Sequence, residues 1–521
     1  QDRWTVVSHL AEVPPGRVPL SPALEFKWDR AGRPITLPPT TPGNREGYDR
    51  IRENPFVRVW DEDTSTFSID VDTAAYANMR RFLMSGQLPP RDSIRLEELI
   101  NYFIYDYAAP TDNAEHPFEV HVEIASCPWN SKHRLARIAL KGKEMKPENR
   151  PQSNLVFLVD VSGSMKPANK LPLLIQGLQM LTKQLDEGDR VAIVVYASAS
   201  GLVLDSTTGD QKDTILGALG RLRAGGSTNG GAGIELAYKI ATKNFVKGGA
   251  NRVILCTDGD FNVGVSDRGG LTRLIEEKAK SGVYLSVLGF GQGNLRDGMM
   301  EDLSNRGNGN YAYIDSIDEA RKVLVEQMSG TLVTIAKDVK IQIFFNPRKV
   351  KGYRLVGYEN RMLQKQDFND DKKDAGDIGA GHTVTALYEL VPADTEMPVP
   401  EVDQNPFLAK PAGPAAAGKG SSALFRLRLR YKQPDGDASK LIEEDVEDAG
   451  LSFAAASPDF QWASAVAAFG MLLRDSQYKG GITLEAVAEI AKAAKGEDPH
   501  GYRAQFLELI KLAQRLMRRG C

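Results

Sequence analysis

The chain has 521 residues, 42% apolar and 26% charged, with 65 basic and 68 acidic side chains and a net charge of −3. That length calls for several domains of ordinary globular composition. The near-balance of charge excludes a general attraction to nucleic acid or anionic membrane, and no apolar run approaches the ~18 residues of a membrane-spanning helix.

Residues 1–60 are rich in proline and poor in periodicity, and are expected to form an extended arm. Residues 61–150 read as an α+β segment. A strand is predicted at 66–72, a helix at 73–84, a break at Pro89 and Pro90, and a second helix at 92–103 capped by Asp92. Strands at 118–124 and 135–140 follow, joined through Cys127, Pro128 and Trp129. Residues 151–332 change rhythm. Apolar strands at 155–159, 190–196, 202–204, 253–256, 283–288 and 310–314 alternate with helices at 169–184, 210–221, 230–243, 271–280, 295–305 and 317–328. Strands apolar throughout are buried on both faces, which predicts an α/β fold, a doubly wound, mostly parallel, Rossmann-like sheet between two helix layers.

Residues 333–457 read as β-rich, with strands at 339–345, 353–356, 382–390 and 423–431 and a Pro/Ala/Gly loop at 392–422. Helices at 460–474, 484–494 and 501–518 fill the C-terminal segment, 458–521. The β segments before residue 142 and after residue 339 are expected to share one sheet or sandwich. The α/β module is then an insertion in it.

Chemistry concentrates where the first strand of the module ends. Asp160, Ser162 and Ser164 are spaced by two, which turns three oxygens to one side of an extended loop. Gly163 permits the tight path. The carboxyl ends of strands in such a sheet form the ligand crevice. Two further segments are expected there: a Gly-rich loop at 225–232 that offers Thr228, and the end of another strand that offers Asp258, with Asp260 nearby. Ser227 and Asn229 are candidates for orienting Thr228. All these donors are hard oxygens, which suit Mg²⁺, with Ca²⁺ and Mn²⁺ as alternatives, and argue against zinc. Such a shell leaves a position open, and a partner's Asp or Glu would complete it.

Asp160, Ser162, Ser164, Thr228 and Asp258 together resemble the metal ion-dependent adhesion site of von Willebrand factor type A (vWA) domains. The stretches 67–82, 127–129, 257–264 and 460–474 resemble a narrower group, the bacterial YfbK-like proteins. The resemblance implies a vWA fold over about residues 154–329. It also implies direct contacts to the ion from the two serines and the threonine, with the aspartates binding directly or through water.

Other signals are weaker. Asp61, Asp63, Ser65 and Asp72 mimic a calcium loop, but Thr66 and Asp72 stand where Gly and Glu belong. The Gly-rich run lacks the Lys-Ser/Thr of a P-loop. The six histidines show no H-x-x-x-H pairing, and none adjoins Asp160 or Ser162 as a base would. Three cysteines, Cys127, Cys256 and Cys521, are too few for a disulfide framework, and their spacing leaves pairing open.

The leading expectation is therefore a non-enzymatic binding module that engages an acidic group of a partner protein through the metal. Alternatives are a structural subunit of a large assembly, in which the metal only stabilises a loop, and an accessory to an intracellular ATPase or chelatase complex. The chain starts with Gln1, not Met. It is read as a mature chain after signal-peptide removal, located in the cell envelope or secreted, with a cytoplasmic location as the alternative.

Overall fold

The computed structural model describes residues 46–519 except 70–71, 198, 227–230, 260–267, 294, 328–332, 374, 398–420 and 435. Of residues 1–45, which form a separate unit, it describes two strands. Phe26–Trp28 and Pro34–Thr36 pair antiparallel, with Lys27 opposite Ile35. Residues 1–25, 29–33 and 37–45 of the expected arm, much of the loop at 392–422, and Thr228, Ser227, Asn229, Asp260 and Cys521 lie outside the described residues, whereas residues 46–60 of that arm are described and contain the strand Val57–Arg58.

The module is built on a six-stranded sheet. In spatial order its strands are Tyr311–Ile314, Tyr284–Phe290, Ala250–Thr257, Ser153–Asp160, Arg190–Tyr196 and Ser200–Thr208. All neighbours are parallel except the last pair, a hairpin at one edge. Ser153–Asp160 and Ala250–Thr257, at the centre, are buried at every position. Alternate side chains serve opposite faces. Leu155, Phe157 and Val159 pack with helices Leu171–Thr182 and Lys212–Arg221 on one face. Val156 and Leu158 pack with Gly231–Lys243 and Asp297–Arg306 on the other. This is the doubly wound α/β arrangement expected from the apolar strands.

The module interrupts a β-sandwich. Thr64–Ser68 pairs antiparallel with Thr334–Phe345, placing Ser65 opposite Ile343. Asn130–Gly142 pairs with Thr383–Pro392, placing Ile138 opposite Ala386. Residues on both sides of the insertion thus build the same sheets. One sheet contains Gly376–Gly379, Thr334–Phe345, Phe425–Lys432 and Ser439–Val446, with Thr64–Ser68 also on Thr334–Phe345. The second runs Val57–Arg58, Val350–Val356, Thr383–Pro392, Asn130–Gly142 and Phe118–Cys127. Their facing sides interdigitate through Phe67, Ile138, Ile341, Phe345, Tyr388 and Leu427.

The C-terminal helices Pro458–Leu473, Leu484–Ala493 and Tyr502–Arg519 cover a third core with Ala74–Met84 and Leu96–Ile100. Pro458–Leu473 is buried on nearly all sides, as its apolar composition requires. No described helix is long and apolar enough to cross a membrane.

Two local expectations change. The helix expected at 92–103 is a 3₁₀ turn, Arg91–Ser93, followed by the short helix Leu96–Ile100. Between them Ile94 and Arg95 are extended. From there Arg95 reaches Glu98 at 2.8 Å and, in the module, Asp297 at 2.5 Å and Glu301 at 2.9 Å. Asp92 caps no helix, because its Oδ1 accepts the Ile51 N–H at 3.0 Å. The helix expected at 317–328 is α-helical over Ile317–Arg321 and widens to a π-turn over Lys322–Glu326.

Candidate metal centre

Asp160 closes the central strand Ser153–Asp160 at its carboxyl end, fully buried. Ser162 and Ser164 follow on the 3₁₀ turn at Gly163–Met165. The turn is held by its own side chains: Asp160 Oδ1 accepts the Ser162 N–H at 2.8 Å, and the two serine hydroxyls are hydrogen-bonded at 2.9 Å. The Gly-rich loop is tied alongside. Gly225 N–H donates to Val161 O at 2.7 Å, and Gly163 N–H donates to Gly226 O at 3.0 Å. Gly226 has φ +89, in the left-handed region that glycine enters without steric cost.

Asp258 follows the neighbouring strand Ala250–Thr257 and is 1% exposed. Thr257 Oγ1 donates to Asp160 Oδ2 at 3.4 Å and receives the Gly259 N–H at 3.2 Å. The two aspartates thus stand at the ends of adjacent strands. The structure brings together Asp160, Ser162, Ser164 and Asp258.

Burial pushes the Asp160 carboxyl up to about 6, and the nearby Asp258 charge adds to this; the Ser162 N–H opposes it. Two buried carboxylates on adjacent strands need positive charge. Lys170 supplies it: Nζ donates to Asp258 Oδ2 at 2.7 Å, with both side chains buried. This ammonium supplies positive charge to the pair of carboxylates through Asp258. Sequence reasoning missed Lys170, although a signal was present. Lys170 is the residue preceding helix Leu171–Thr182, where Ser, Thr, Asp or Asn is preferred and positive charge opposes the helix dipole. Its stem passes Gly291, where a Cβ would collide with Lys170 Cε.

The donor set fits a divalent metal. Carboxylate and hydroxyl oxygens gather around a locus that already attracts a cation, and no thiol or imidazole takes part. Mg²⁺ and Ca²⁺ prefer such donors. Groups of three or more His, Cys, Asp or Glu side chains able to hold a metal are absent among the described residues. A site of two carboxylates and two hydroxyls does not form such a group. Cys127 and Cys256 are buried free thiols, and burial raises both pKa values far above the thiol range.

Comparison with known proteins agrees with this architecture. Residues 154–327 match the von Willebrand factor type A domain model, residues 42–137 a von Willebrand factor model, and residues 330–516 the model described as uncharacterized protein YfbK, C-terminal. The chain is 44% identical over 471 residues to uncharacterized protein YfbK of Escherichia coli (strain K12), covering 89% of this chain and 80% of that protein. It is 27% identical over 202 residues to inter-alpha-trypsin inhibitor heavy chain H1 of Sus scrofa, covering 36% of this chain and 22% of that protein. Among solved structures it is similar to a von Willebrand factor type A protein from Catenulispora acidiphila, at 15% identity and TM-score 0.40, covering 75% of this chain and 89% of that one. The chain belongs to the YfbK-like family of von Willebrand factor type A proteins.

Proposed function

We propose that this protein is a non-enzymatic binding module that uses a divalent metal in its vWA domain to engage an acidic group on a partner protein, in the cell envelope or secreted. The carrying observation is the convergence of Asp160, Ser162, Ser164 and Asp258 at the carboxyl edge of the sheet, beside the Lys170 ammonium. Thr228 would add a further hydroxyl. A bound Mg²⁺, or Ca²⁺ or Mn²⁺, would supply Lewis acidity toward a carboxylate. The chain's own part is to fix few anionic donors around the ion, so that it retains attraction for an external one.

Chemistry on the partner is not needed for this role. The described histidines lie on the sandwich or near the C-terminal helices: His133 pairs with Glu389 at 2.6 Å, His116 with Tyr431 at 2.9 Å, and His500 with Glu326 at 3.3 Å. None of these pairs includes a hydroxyl of the candidate centre. Binding through an ion requires no proton transfer, so a general base is superfluous.

Mn²⁺ titration followed by electron paramagnetic resonance should show one bound ion, lost in Asp160→Ala. Immobilised polyglutamate should retain the chain in Mg²⁺ and release it in EDTA. Ion binding that survives Asp160→Ala would refute the metal assignment. Ion binding without metal-dependent retention would refute the adhesion role and favour a metal that only stabilises the loop.

A further inference from the structure

At the opposite end of the same sheet lies a cavity of about 480 Å³ between the module and the sandwich. That volume falls in the range of about 300–1,000 Å³ usual for small-molecule sites. Its module wall continues the face formed by Leu155, Ile254 and Leu288, closed by Leu181, Val323 and Leu324. Its sandwich wall includes Gly379, Ala380 and Thr383. Beside this apolar wall stands Arg252, two residues before Ile254 on the same strand, and the rest of the lining is mixed, with Asn101, Asn305, Asn310 and Asp377 among it. Arg252 is five residues before Thr257, the last residue of its strand, so roughly 17 Å of strand separates Arg252 from the edge that carries the candidate metal centre.

Arg252 is 5% exposed. Its Nη1 donates to Ser286 Oγ at 2.9 Å and its guanidinium lies 5.7 Å from the Tyr284 ring centroid. Nε has no hydrogen-bond partner among the described residues, and no carboxylate among them forms an ion pair with it. Asp377 acts on it only through space, and burial pulls its pKa down to about 10. A buried charge without a hydrogen-bonded counter-ion is strongly unfavourable. The other charged groups around the cavity are engaged. Lys141 pairs with Glu144 at 3.2 Å, Glu326 accepts from Tyr502 at 2.7 Å, and Asp72 accepts the Tyr311 N–H at 2.7 Å.

We propose that this cavity binds a small organic monocarboxylate with an apolar body, its carboxylate on the Arg252 guanidinium and its body against Leu155, Leu181, Ile254, Leu288 and Leu324. The choice of a carboxylate rests on Arg252, a lining cation with no ion pair among the described residues, and the lining carboxylates Asp72, Glu144, Glu326 and Asp377 limit the ligand to one negative charge. A single guanidinium is uncompensated, and the nearby Asp377 disfavours a dianion such as phosphate. The side of a guanidinium matches a carboxylate with paired N–H donors. The apolar wall gains from burial of an aliphatic or aromatic body.

Octanoate and octanol, titrated into the full chain by calorimetry, test this. The buffer contains EDTA, so that a carboxylate on a metal makes no contribution and failure here is separable from failure of the adhesion role. Octanoate should bind at least tenfold more tightly than octanol. It should also slow hydrogen exchange in the segments that line the cavity, Ala250–Thr257, Tyr284–Phe290 and Lys322–Glu326 among them. Arg252→Gln should weaken octanoate at least tenfold and leave octanol unchanged. Equal binding of octanoate and octanol, competition by inorganic phosphate at equal concentration, or exchange protection elsewhere would overturn the proposal. The comparison of the two ligands on the unaltered chain decides the matter if Arg252→Gln fails to fold.

Discussion

Lys170 Nζ lies 2.7 Å from Asp258 Oδ2, a buried ion pair at the carboxyl edge of the module's sheet. The ammonium and a divalent ion would draw on the same negative charge. In Lys170→Met the stem volume is kept and the charge removed. Mg²⁺ affinity should then rise by roughly tenfold or more, since relief of a competing charge worth ~1.4 kcal/mol is tenfold. The metal-free variant should melt below the unaltered chain, because Asp258 loses its partner. Calorimetric titration and melting curves in EDTA check both parts. Unchanged affinity would separate Lys170 from the metal locus.

Arg80 links the helix Ala74–Met84 to the module. Its guanidinium reaches the buried Glu319 at 2.8 Å, the half-buried Asp315 carboxylate and the buried Tyr102 hydroxyl at 2.8 Å. Arg80→Met should lower stability by about 3–5 kcal/mol, because buried Glu319 and half-buried Asp315 lose the Arg80 counter-ion. Denaturant unfolding measures this. Combining Arg80→Met with Glu319→Gln should recover part of the loss.

Buried Glu97 gives a pH dependence with a definite sign. Burial raises its pKa to about 8, helped by the Glu359 and Glu98 charges and opposed by the Tyr358 N–H. Glu98 moves in the same direction, burial again the main cause. A carboxyl with a raised folded pKa is protonated in the folded chain while the unfolded chain has already lost its proton. Stability is therefore greatest at and below the ordinary value of 4.5 for this group, falls as pH rises toward 8, and then levels. The slope is at most about 1.4 kcal/mol per pH unit per proton. Glu97→Gln should flatten the decline and be the more stable chain at pH 8. Melting temperatures from pH 5 to 9 show whether the two curves converge at low pH, as they must.

Gly480 has φ +55, and a Cβ there would collide with the Trp129 carbonyl. Gly480→Ala should lower stability by more than ~1 kcal/mol, through both left-handed strain and contact with backbone that cannot move aside. Trp129 donates to Glu389 at 2.9 Å. Its fluorescence in the native variant should therefore shift with the loss.

The module was readable because Leu155, Phe157 and Val159, like Val253 and Leu255, form apolar runs that only a sheet covered on both faces demands. Asp160, Ser162 and Ser164 were readable because a strand end followed by a period of two is a local pattern. The strand Ser439–Val446 was not readable. It is an edge strand whose Lys440, Glu443 and Glu444 are exposed and whose Leu441 and Ile442 are adjacent rather than alternating, so it lacks the period-two signal, and charge on an edge is a common protection against mispairing. Gly376–Gly379 holds only four residues, two of them glycine. Lys170 stood out only as an ill-suited residue before a helix, and the contacts of Lys170 and Arg252 were hidden for another reason. Their partners Asp258 and Ser286 are distant in sequence, and only the folded sheet brings them near. The break at Ile94 and Arg95 likewise answers to Asp297 and Glu301, about 200 residues later.

The interrupted sandwich sets an order of assembly. Ser65 and Tyr388 share a 2.8 Å hydrogen bond across 323 residues of chain, whereas the module's sheet is complete within its own span. On a growing chain the module can therefore close while Thr64–Ser68 and Asn130–Gly142 still lack their partners. Non-local strand pairing is slow, and unpaired edges invite aggregation. Once folded, the module sets Ser153 and Glu326, near its two ends, at a separation fixed by its own core, which shortens the search that the late strands must make. Synthesis from the N-terminus thus makes the inserted domain the template for the domain that surrounds it.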